Sequence, residues 1–266
     1  MTTEAATVEL RKRNPRGHFI SDSLVLTKRN LLKYLRVPTL LVFSTVQPIM
    51  FVLLFVYVFG GAISVPGVSY TNFLMAGIFV QTSIFGSTQT GVSLAEDMGK
   101  GLIDRFRSLP MSRAAVLVGR TVSDAGRNLF VVLLMTLVGY IIGFRFQAGF
   151  VSAIGALLLA VAFGFAFSWI SAAIGLAIRD VESTQAASFV WVFPLTFASS
   201  AFVPIEGFPS WLKTFAEWNP ITIAVDATRS LILGGDLTPV LWQAIGWVLL
   251  LLAVFIPLCV RLYKKV

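Results

Sequence analysis

The sequence is poor in the residues that most proteins use to build reactive or charged sites. Only 13% of its 266 residues are charged, and it has one cysteine and one histidine. A single cysteine, Cys259, excludes an intrachain disulfide and leaves the redox compartment open. His18 lies in a polar, basic stretch, and the sequence has no metal cluster, nucleophile elbow or paired-carboxylate site. The sequence therefore predicts no metal site and disfavours an enzyme.

Two further absences concern transport mechanisms. The fragment Gly99–Lys100–Gly101 lacks both the preceding glycine spacing and the following Ser or Thr of a P-loop, so the chain is not predicted to bind ATP by that motif. From Leu129 to Ile178 there is no Asp, Glu or His. Because a proton-coupled secondary transporter is expected to carry an intramembrane carboxylate or histidine relay, that class is only a remote alternative.

Apolar residues dominate what is present. They make up 56% of the chain, and the mean hydropathy is +0.83. Runs of about 20 apolar residues are long enough to cross a bilayer, where the backbone must satisfy its own hydrogen bonds as helices. We therefore predict an all-α integral membrane protein with six spans. They are Thr39–Gly60, Asn72–Ala95, Ala114–Gly143, Phe150–Ile178, Thr184–Val203 and Val240–Arg261.

The distribution of Lys and Arg predicts the orientation of these spans. Basic residues are concentrated before the first span and between the second and third, whereas Ala62–Thr71 has none. Since cationic loops stay inside, both termini are predicted to be cytoplasmic, in a multi-pass protein of the cell membrane. The stretch 1–38 is too long and too polar for a secretory signal, so the first span is expected to be retained. The basic residues that give the net charge of +8 flank the spans and form no single basic face. This distribution disfavours nucleic-acid binding.

The end of the basic N-terminal stretch has a helical apolar pattern. Between Phe19 and Arg36 apolar side chains recur at helical spacing, with charged residues between them, and Pro38 follows. This pattern predicts an amphipathic helix in the cytoplasmic interface. It could contact a partner or membrane lipids, or serve only as a basic anchor that fixes topology.

A second short apolar stripe lies in the loop "EDMGKGLIDRFRSLPMSR", Glu96 to Arg113. Leu102, Ile103, Phe106 and Leu109 fall on one face of a helix that Pro110 ends, and both signs of charge surround them. Such a face suits docking into a groove of a water-soluble protein, or packing against the protein's own spans or the bilayer surface. The predicted docking residues are Leu102, Ile103, Asp104, Arg105, Phe106, Leu109 and, in the short loop "RDVES", Arg179.

The stretch before the last span is the most elaborate. Asn219 and Pro220 predict a helix start, while Gly234 and Gly235 predict its end. With a shorter helix that begins near Pro209, this predicts a re-entrant hairpin at about 204–235 in the outer leaflet. The residues singled out in it are Pro209, Trp211, Trp218, Asn219, Pro220, Asp226 and Arg229, the last two as a structural pair.

Three segments resemble a known family. The loop Glu96–Arg113 resembles the coupling-helix region of type 2 ABC exporter permeases. "FPLTFASSAFVPIEGFPSWLKTFAEWNPITIAVDATRSLILGG", Phe193 to Gly235, is similar to the region before their last span, and "GYIIGFRF", Gly139 to Phe146, adds a likeness to the daunorubicin-resistance branch. The resemblance implies a tail at 1–38, one transmembrane domain at 39–266, a coupling helix at about 97–110, and a hairpin that roofs the translocation path. The hairpin could also be an inert cap.

Polar and aromatic side chains within the spans mark candidate path surfaces, because polar groups are costly against lipid. The candidates are Gln81, Thr88, Gln89, Phe189, Phe193 and Phe197. The resemblance places spans one, two and five between two permease copies. A further set, Arg120, Asp124 and Arg127, shares one face of span three and is interpreted as a clamp to neighbouring helices.

From this resemblance we predict the permease subunit of an ATP-driven exporter of hydrophobic or amphipathic, drug-like compounds. Two copies of a separate ABC ATP-binding subunit would hold ATP and Mg, and the second permease would be another copy or a homologue. This chain itself would hold no cofactor. An exporter of a lipid or glycan precursor is the alternative, since the sequence does not specify cargo.

Overall fold

The computed structural model describes residues 19–103, 113–235 and 238–265, and these residues contain helices and connections but no strand. Its α-helices are α1 (Phe19–Arg36), α2 (Pro38–Leu53), α3 (Tyr70–Gly99), α4 (Arg113–Ile141), α5 (Phe150–Ile178), α6 (Val181–Phe197), α7 (Ser210–Trp218), α8 (Pro220–Leu233) and α9 (Thr238–Lys265). A π-helical turn, Leu54–Phe59, extends α2, and a 3₁₀ turn, Ile205–Gly207, precedes α7. The all-helical class is thus confirmed.

The helix α3 is the centre of the fold. It packs most extensively against α5 and also contacts α4, α6 and α8. Glycines permit this closeness: a Cβ at Gly91 would overlap the carbonyl oxygen of Ser171, and one at Gly175 would overlap that of Gly91. Close approach at small residues is the usual way in which helices pack without a hydrophobic driving force between them.

Length and composition qualify three of the helices in the described ranges to cross a membrane, namely those at Ala114–Ile141, Phe150–Ile178 and Pro239–Lys264. The apolar helix Ser44–Phe59 is shorter. The helix α3 occupies the predicted second span, but its many Ser, Thr and Gln residues lower its hydropathy, and most of it is buried by neighbouring helices. The six predicted spans therefore stay a proposal.

One predicted boundary was wrong. The fifth span was predicted to run to Val203, but α6 ends at Phe197 and turns follow. Asn219 explains the early end, because its Nδ2 donates hydrogen bonds to the carbonyl oxygens of Leu195 and Ala198 at 2.7 and 2.9 Å. The last carbonyls of α6 are thereby satisfied by a side chain in place of a further helical turn.

The helix α1 has the bounds that the pattern predicted, and its two faces lie in different surroundings. Leu26 and Tyr34 are buried, and α1 packs mainly on α4. Of the predicted apolar stripe, Ile20, Leu24 and Val25 are each more than 60% exposed. A helix with a buried protein-facing side and an exposed apolar stripe is suited to lie in a membrane interface.

Candidate functional site

A cavity of about 590 Å³ lies among α1, α2, α3, α4 and α6. Three predicted path residues of α3, Gln81, Thr88 and Gln89, line it, and so does Phe189 of α6. The lining runs along α3 from Gln81 to Glu96, a separation of fifteen helical steps, or about 22 Å at the α-helical rise. Polar and aromatic side chains that lie far apart in the sequence thus share one cavity.

The polar wall of the cavity has hydrogen-bonding capacity that the fold does not use. Among the described residues, the buried Gln81 Oε1 and Thr82 Oγ1 have no hydrogen-bond partner. Thr88 Oγ1 donates to the carbonyl of Phe85 at 2.7 Å, and Gln89 Nε2 donates to Ser93 Oγ at 3.4 Å. Because a buried polar group without a partner is costly, Gln81 Oε1 and Thr82 Oγ1 are suited to contact water or a bound molecule.

The other two predicted aromatic residues lie outside the cavity wall. Phe193 and Phe197 stack on one another with ring centroids 5.5 Å apart, and each is about 40% exposed. The run starts at the cavity with Phe189, 5.6 Å from Phe193, and continues from Phe197 to Phe202 at 5.2 Å. Phe202 in turn stacks on Phe55 of the π-helical turn at 4.4 Å. A continuous phenylalanine row therefore connects the cavity to the turns that follow α6.

A buried charge cluster closes one side of the cavity. Arg120 Nε lies 3.1 Å from Asp124 Oδ2, and Thr90 of α3 donates to the same oxygen at 2.6 Å. Tyr34 of α1 donates to Asp124 Oδ1 at 2.7 Å. Burial, with the nearby Asp124 charge, raises the pKa of Tyr34 to about 12, so its hydroxyl stays protonated and able to donate. The predicted clamp is confirmed, and it joins α1, α3 and α4.

At the end of α3 the charges are more exposed. Glu96 accepts a hydrogen bond from Lys100, which lowers the pKa of the Glu96 carboxyl, and lies 3.7 Å from Lys33 of α1. Burial instead raises the pKa of Asp97 above its usual range. This end of α3 thus carries both signs of charge next to α1.

The helix start predicted at Asn219 is confirmed in detail. Asn219 Oδ1 accepts from the Ile221 N–H at 2.9 Å, and Pro220 is the first residue of α8. The helix ends at Leu233, and Gly234 takes the left-handed conformation at φ 87°, which its lack of a Cβ permits. Pro209 is the N-cap of α7, and Trp211 and Trp218 on that helix are each more than 70% exposed.

The predicted Asp226–Arg229 pair is also confirmed, with Nη1 and Oδ1 2.7 Å apart. Arg229 donates further to the carbonyl of Ser200 at 2.7 Å and lies over the Phe73 ring, with Cζ 3.7 Å from its centroid. The Ser200 hydroxyl donates to Asp226 Oδ1 at 2.7 Å. These contacts tie α8 to α3 and to the turns after α6.

The predicted docking residues are only partly within the described ranges. Ile103 is buried, and Leu102 is partly buried. Arg179 is exposed and ends α5 in the left-handed conformation, with φ 66°. The rest of the predicted set, Asp104, Arg105, Phe106 and Leu109, lies outside the described residues.

Sequence reasoning missed several residues of the cavity wall. Tyr34, Gln47, Phe85 and Gln185 all line it. Gln47 and Gln185 are uncharged polar residues within or at the end of predicted spans, so the criterion applied to Gln81 could have found them. Nothing in the spacing of α1 marks Tyr34, whose partners lie in other helices.

Comparisons with known proteins identify the family of the chain. A family model described as "ABC-2 type transporter" matches residues 22–233. The chain belongs to this family. In this family the protein is the transmembrane permease subunit, and ATP hydrolysis takes place in a separate ATP-binding subunit, as the sequence predicted.

The ABC-2 relatives include proteins named for drug resistance. The chain is 34% identical, over 96% of its length and 90% of the relative's, to the daunorubicin resistance ABC transporter permease protein DrrB1 of Streptomyces coeruleorubidus. It is 28% identical over 86% of its length, and 82% of the relative's, to the probable doxorubicin resistance permease DrrC of Mycobacterium tuberculosis strain H37Rv. The putative transport permease ycf38 of Cyanophora paradoxa is also 28% identical, over 80% of this chain and 74% of the relative.

Proposed function

We propose that this chain is the permease of an ATP-driven exporter that moves a hydrophobic or amphipathic, drug-like compound out across the cell membrane. The cavity carries the proposal. Its volume of about 590 Å³ falls within the range of small-molecule sites, about 300–1,000 Å³. Unpartnered Gln81 and Thr82 oxygens and the rings of Phe85 and Phe189 offer hydrogen bonds and a flat apolar contact. The drug-resistance names of the relatives support the same cargo class.

The transport-competent form is proposed to contain two permeases, either two copies of this chain or one with a homologue. The support is the apolar surface beside the cavity. Phe193 and Phe197 of α6 are about 40% exposed, and Val42 and Met50 of α2 are more than 50% exposed. A second permease laid on α2 and α6 would enclose the row of phenylalanines between the two chains.

Each permease is proposed to dock one ATP-binding subunit, which holds ATP and Mg. The predicted coupling helix at about 97–110 is the main contact and Arg179 a minor one. Its apolar stripe and flanking charges suit a groove on a soluble partner. The charge network at Glu96, Lys33 and Lys100 lies where that segment leaves α3. Movement of a docked subunit would therefore be transmitted to α3 and α1 together.

The proposed orientation has six spans and both termini in the cytoplasm. The cavity then opens toward the inside, because Lys33 and Glu96 lie at its cytoplasmic end. The hairpin α7–α8 lies on the outer side and roofs the path, above the stack of Phe55 on Phe202. Exposed Trp211 and Trp218 suit the outer membrane interface.

Transport into inverted vesicles tests the proposal. The chain would be co-expressed with a candidate ATP-binding subunit, and uptake of a planar xanthene dye would be followed with ATP and with a non-hydrolysable analogue. We expect ATP-dependent uptake that Phe189→Ala reduces, whereas Phe150→Ala, which changes an exposed residue outside the cavity wall, is neutral. Movement of labelled lipid or lipid-linked sugar with no dye uptake would favour the alternative cargo. Dye uptake by the chain without its partner would contradict an ABC mechanism.

A further inference from the structure

A second pocket, of about 360 Å³, lies on the surface of α1. Three basic residues line it at spacings of four and three, so helical geometry places them side by side on one face. All three are exposed. Like charges at these spacings repel one another, and an anion bound between them would relieve that repulsion. The described residues that line the pocket are Arg29, Asn30, Leu32, Lys33, Arg36 and Val37.

No carboxylate lines this pocket in the described part of the chain. The nearest acids lie at the end of α3, where Asp97 interacts electrostatically with Arg29 and Lys33, and Glu96 lies 3.7 Å from Lys33. Arg36 forms no ion pair with the residues that the structure describes. The pocket therefore offers an anion one arginine without an ionic partner, beside two cations that α3 compensates only from outside the pocket.

The surroundings of the pocket fit a lipid better than a soluble anion. Ile20, Leu24 and Val25 of the same helix are each more than 60% exposed, which suits α1 to lie in the membrane interface. Leu32 is also exposed and lines the pocket, next to the arginines at positions 29 and 36. Anionic lipids of the cytoplasmic leaflet attract basic segments at that depth. A phospholipid combines an anionic phosphate with adjacent acyl chains, and this pocket combines basic side chains with an adjacent leucine.

Lys33 belongs to both pockets of the protein. It lines the pocket on α1, and with Glu96 it lines the end of the large cavity. Its Nζ lies 3.7 Å from Glu96 Oε2, which is longer than a hydrogen bond. Glu96 also accepts a hydrogen bond from Lys100, so it keeps a cationic partner if Lys33 turns away. Lys33 is therefore the more easily displaced of the two lysines.

We propose that the pocket on α1 binds the phosphate of an anionic phospholipid, and that this lipid competes with Glu96 for Lys33. The bound lipid draws the Lys33 side chain away from the end of the cavity and so widens the entry there. This inference concerns no cargo. It takes from the proposed function only the orientation, which places α1 at the cytoplasmic leaflet.

Binding is tested on the purified full chain in detergent by native mass spectrometry during lipid titration. The probes are phosphatidylglycerol, phosphatidylcholine, which has no net charge, and glycerophosphoglycerol, the anionic headgroup without acyl chains. We expect phosphatidylglycerol to bind about fivefold more tightly than phosphatidylcholine, or better, since each basic residue near an anionic lipid contributes about that factor. The free headgroup should bind more weakly than the whole lipid. The preference should fall at high salt, because the site is exposed.

Variants of α1 assign the preference to the pocket. Arg36→Gln should weaken phosphatidylglycerol binding about fivefold, and Arg36→Lys, which keeps the charge, should weaken it less. Lys28→Gln is the matched control, because Lys28 is an exposed cation of the same helix that does not line the pocket. These side chains are exposed, so none of the changes should impair folding.

Competition for Lys33 is tested by access to the cavity. A cysteine introduced at Val92, which lines the cavity, would be labelled with a thiol reagent in nanodiscs of either lipid; the native Cys259 is buried. We expect faster labelling in phosphatidylglycerol than in phosphatidylcholine, and loss of this difference with Arg36→Gln but not with Lys28→Gln. Lys33→Ala should label rapidly in both lipids, because it lacks the side chain that the lipid would displace.

Four outcomes would overturn parts of this proposal. Equal binding of the two lipids would show that the pocket does not select anionic lipid. A free headgroup that binds as tightly as the lipid would make this a site for soluble anions. Equal effects of Arg36→Gln and Lys28→Gln would reduce the site to general attraction by a basic helix. Labelling rates that do not depend on the lipid would refute the competition for Lys33. None of these measurements involves cargo, so the proposed export function is tested separately by dye uptake.

Discussion

Tyr34 and Asp124 lie 90 positions apart in the sequence, yet the Tyr34 hydroxyl donates a 2.7 Å hydrogen bond to Asp124 Oδ1. The other carboxylate oxygen accepts from Thr90 of α3 and from Arg120. One carboxylate therefore joins α1 to α3 and α4. Because Tyr34 and Arg120 of this cluster line the cavity, a movement of α1 would change the shape of the cavity.

Removal of this hydrogen bond should destabilise the contact of α1 with α4. We expect Tyr34→Phe to lower the free energy of unfolding by about 1.5–3 kcal/mol, since the acceptor is a buried charge. Asp124→Ala should cost more, about 3–5 kcal/mol, because it leaves buried arginines without their acidic partner. Thermal unfolding in detergent measures both, with Tyr57→Phe as the control, since Tyr57 is 69% exposed. A Tyr34→Phe protein as stable as this control would contradict the role of the bond.

The contact of α3 with α5 should tolerate no added methyl group. Gly91→Ala would place a Cβ against the backbone carbonyl of Ser171, and Gly175→Ala would place one against that of Gly91. Backbone cannot rotate away as a side chain can, so we expect a loss of folded protein in both variants. Gly246→Ala in α9 is the control, since a Cβ there meets no atom within 4 Å, and in a helix it should be neutral or stabilise by up to about 1 kcal/mol. Yields after size-exclusion chromatography compare the three, and a well-folded Gly91→Ala protein would show that the helices can separate.

Docking of the ATP-binding subunit should depend on the apolar stripe of the predicted coupling helix. Phe106→Ala removes an apolar side chain and Leu109→Glu introduces a charge, and we expect either to weaken association by about 1–4 kcal/mol. Co-purification of the partner on a tagged permease measures this. Trp211→Ala changes an exposed residue of the outer hairpin and should have no effect. Unchanged co-purification with Leu109→Glu would favour the alternative, in which this helix packs on the protein's own spans.

Orientation can be measured with cysteines on either side of the membrane. The native Cys259 is buried, so background labelling should be low. We expect an impermeant thiol reagent applied to intact cells to label a cysteine introduced at Ser210, the first residue of α7 in the predicted hairpin, but not one at Ser108, in the cationic loop. Both positions should react after the membrane is permeabilised. Equal labelling in intact cells would contradict the six-span topology.

The parts of the fold that could be predicted from sequence are those set by local chemistry. Asn219 and Pro220 define a helix start wherever they occur before an apolar pattern, and Gly234 defines an end, so α8 was predicted to within a residue. The pairing of Asp226 with Arg229 follows from helical spacing alone. Helical spacing likewise places Gln81, Thr88 and Gln89 of α3 within one sector of the helix.

The features that depend on contacts between helices could not be predicted. The fifth span was predicted to continue to Val203, but α6 ends at Phe197. The amide of Asn219 that bonds this end lies 21 residues beyond Ala198 in the sequence. The role of Tyr34 depends in the same way on a carboxylate in α4. Phe193 and Phe197 were grouped with Phe189 as aromatic residues of one predicted span, but the cavity ends at Phe189.

The last prediction concerns Asn219, whose single amide joins the hairpin to α6. Its Oδ1 caps α8, while its Nδ2 donates to Leu195 and Ala198. Asn219→Ala removes all three bonds. We expect the lost cap to lower the stability of α8 by about 0.5–2 kcal/mol, and the two carbonyls left unpaired to lower it further. Asn219→Asp keeps a cap acceptor but loses both donors, so it isolates the tie to α6.

If the hairpin gates the outer end of the path, both variants should assemble with the ATP-binding subunit, because neither touches the cytoplasmic side. Export should nevertheless fall, and ATP hydrolysis should respond weakly to cargo. An equal loss in Asn219→Asp and Asn219→Ala would assign the effect to the tie with α6, whereas a loss in Asn219→Ala alone would assign it to the cap. Thr214→Ala on the exposed side of α7 is the control and should export normally. Wild-type export and cargo-stimulated hydrolysis in both Asn219 variants would show that the hairpin is an inert cap, since a gate that had lost its Asn219 bonds to α6 would not respond to cargo as the wild type does.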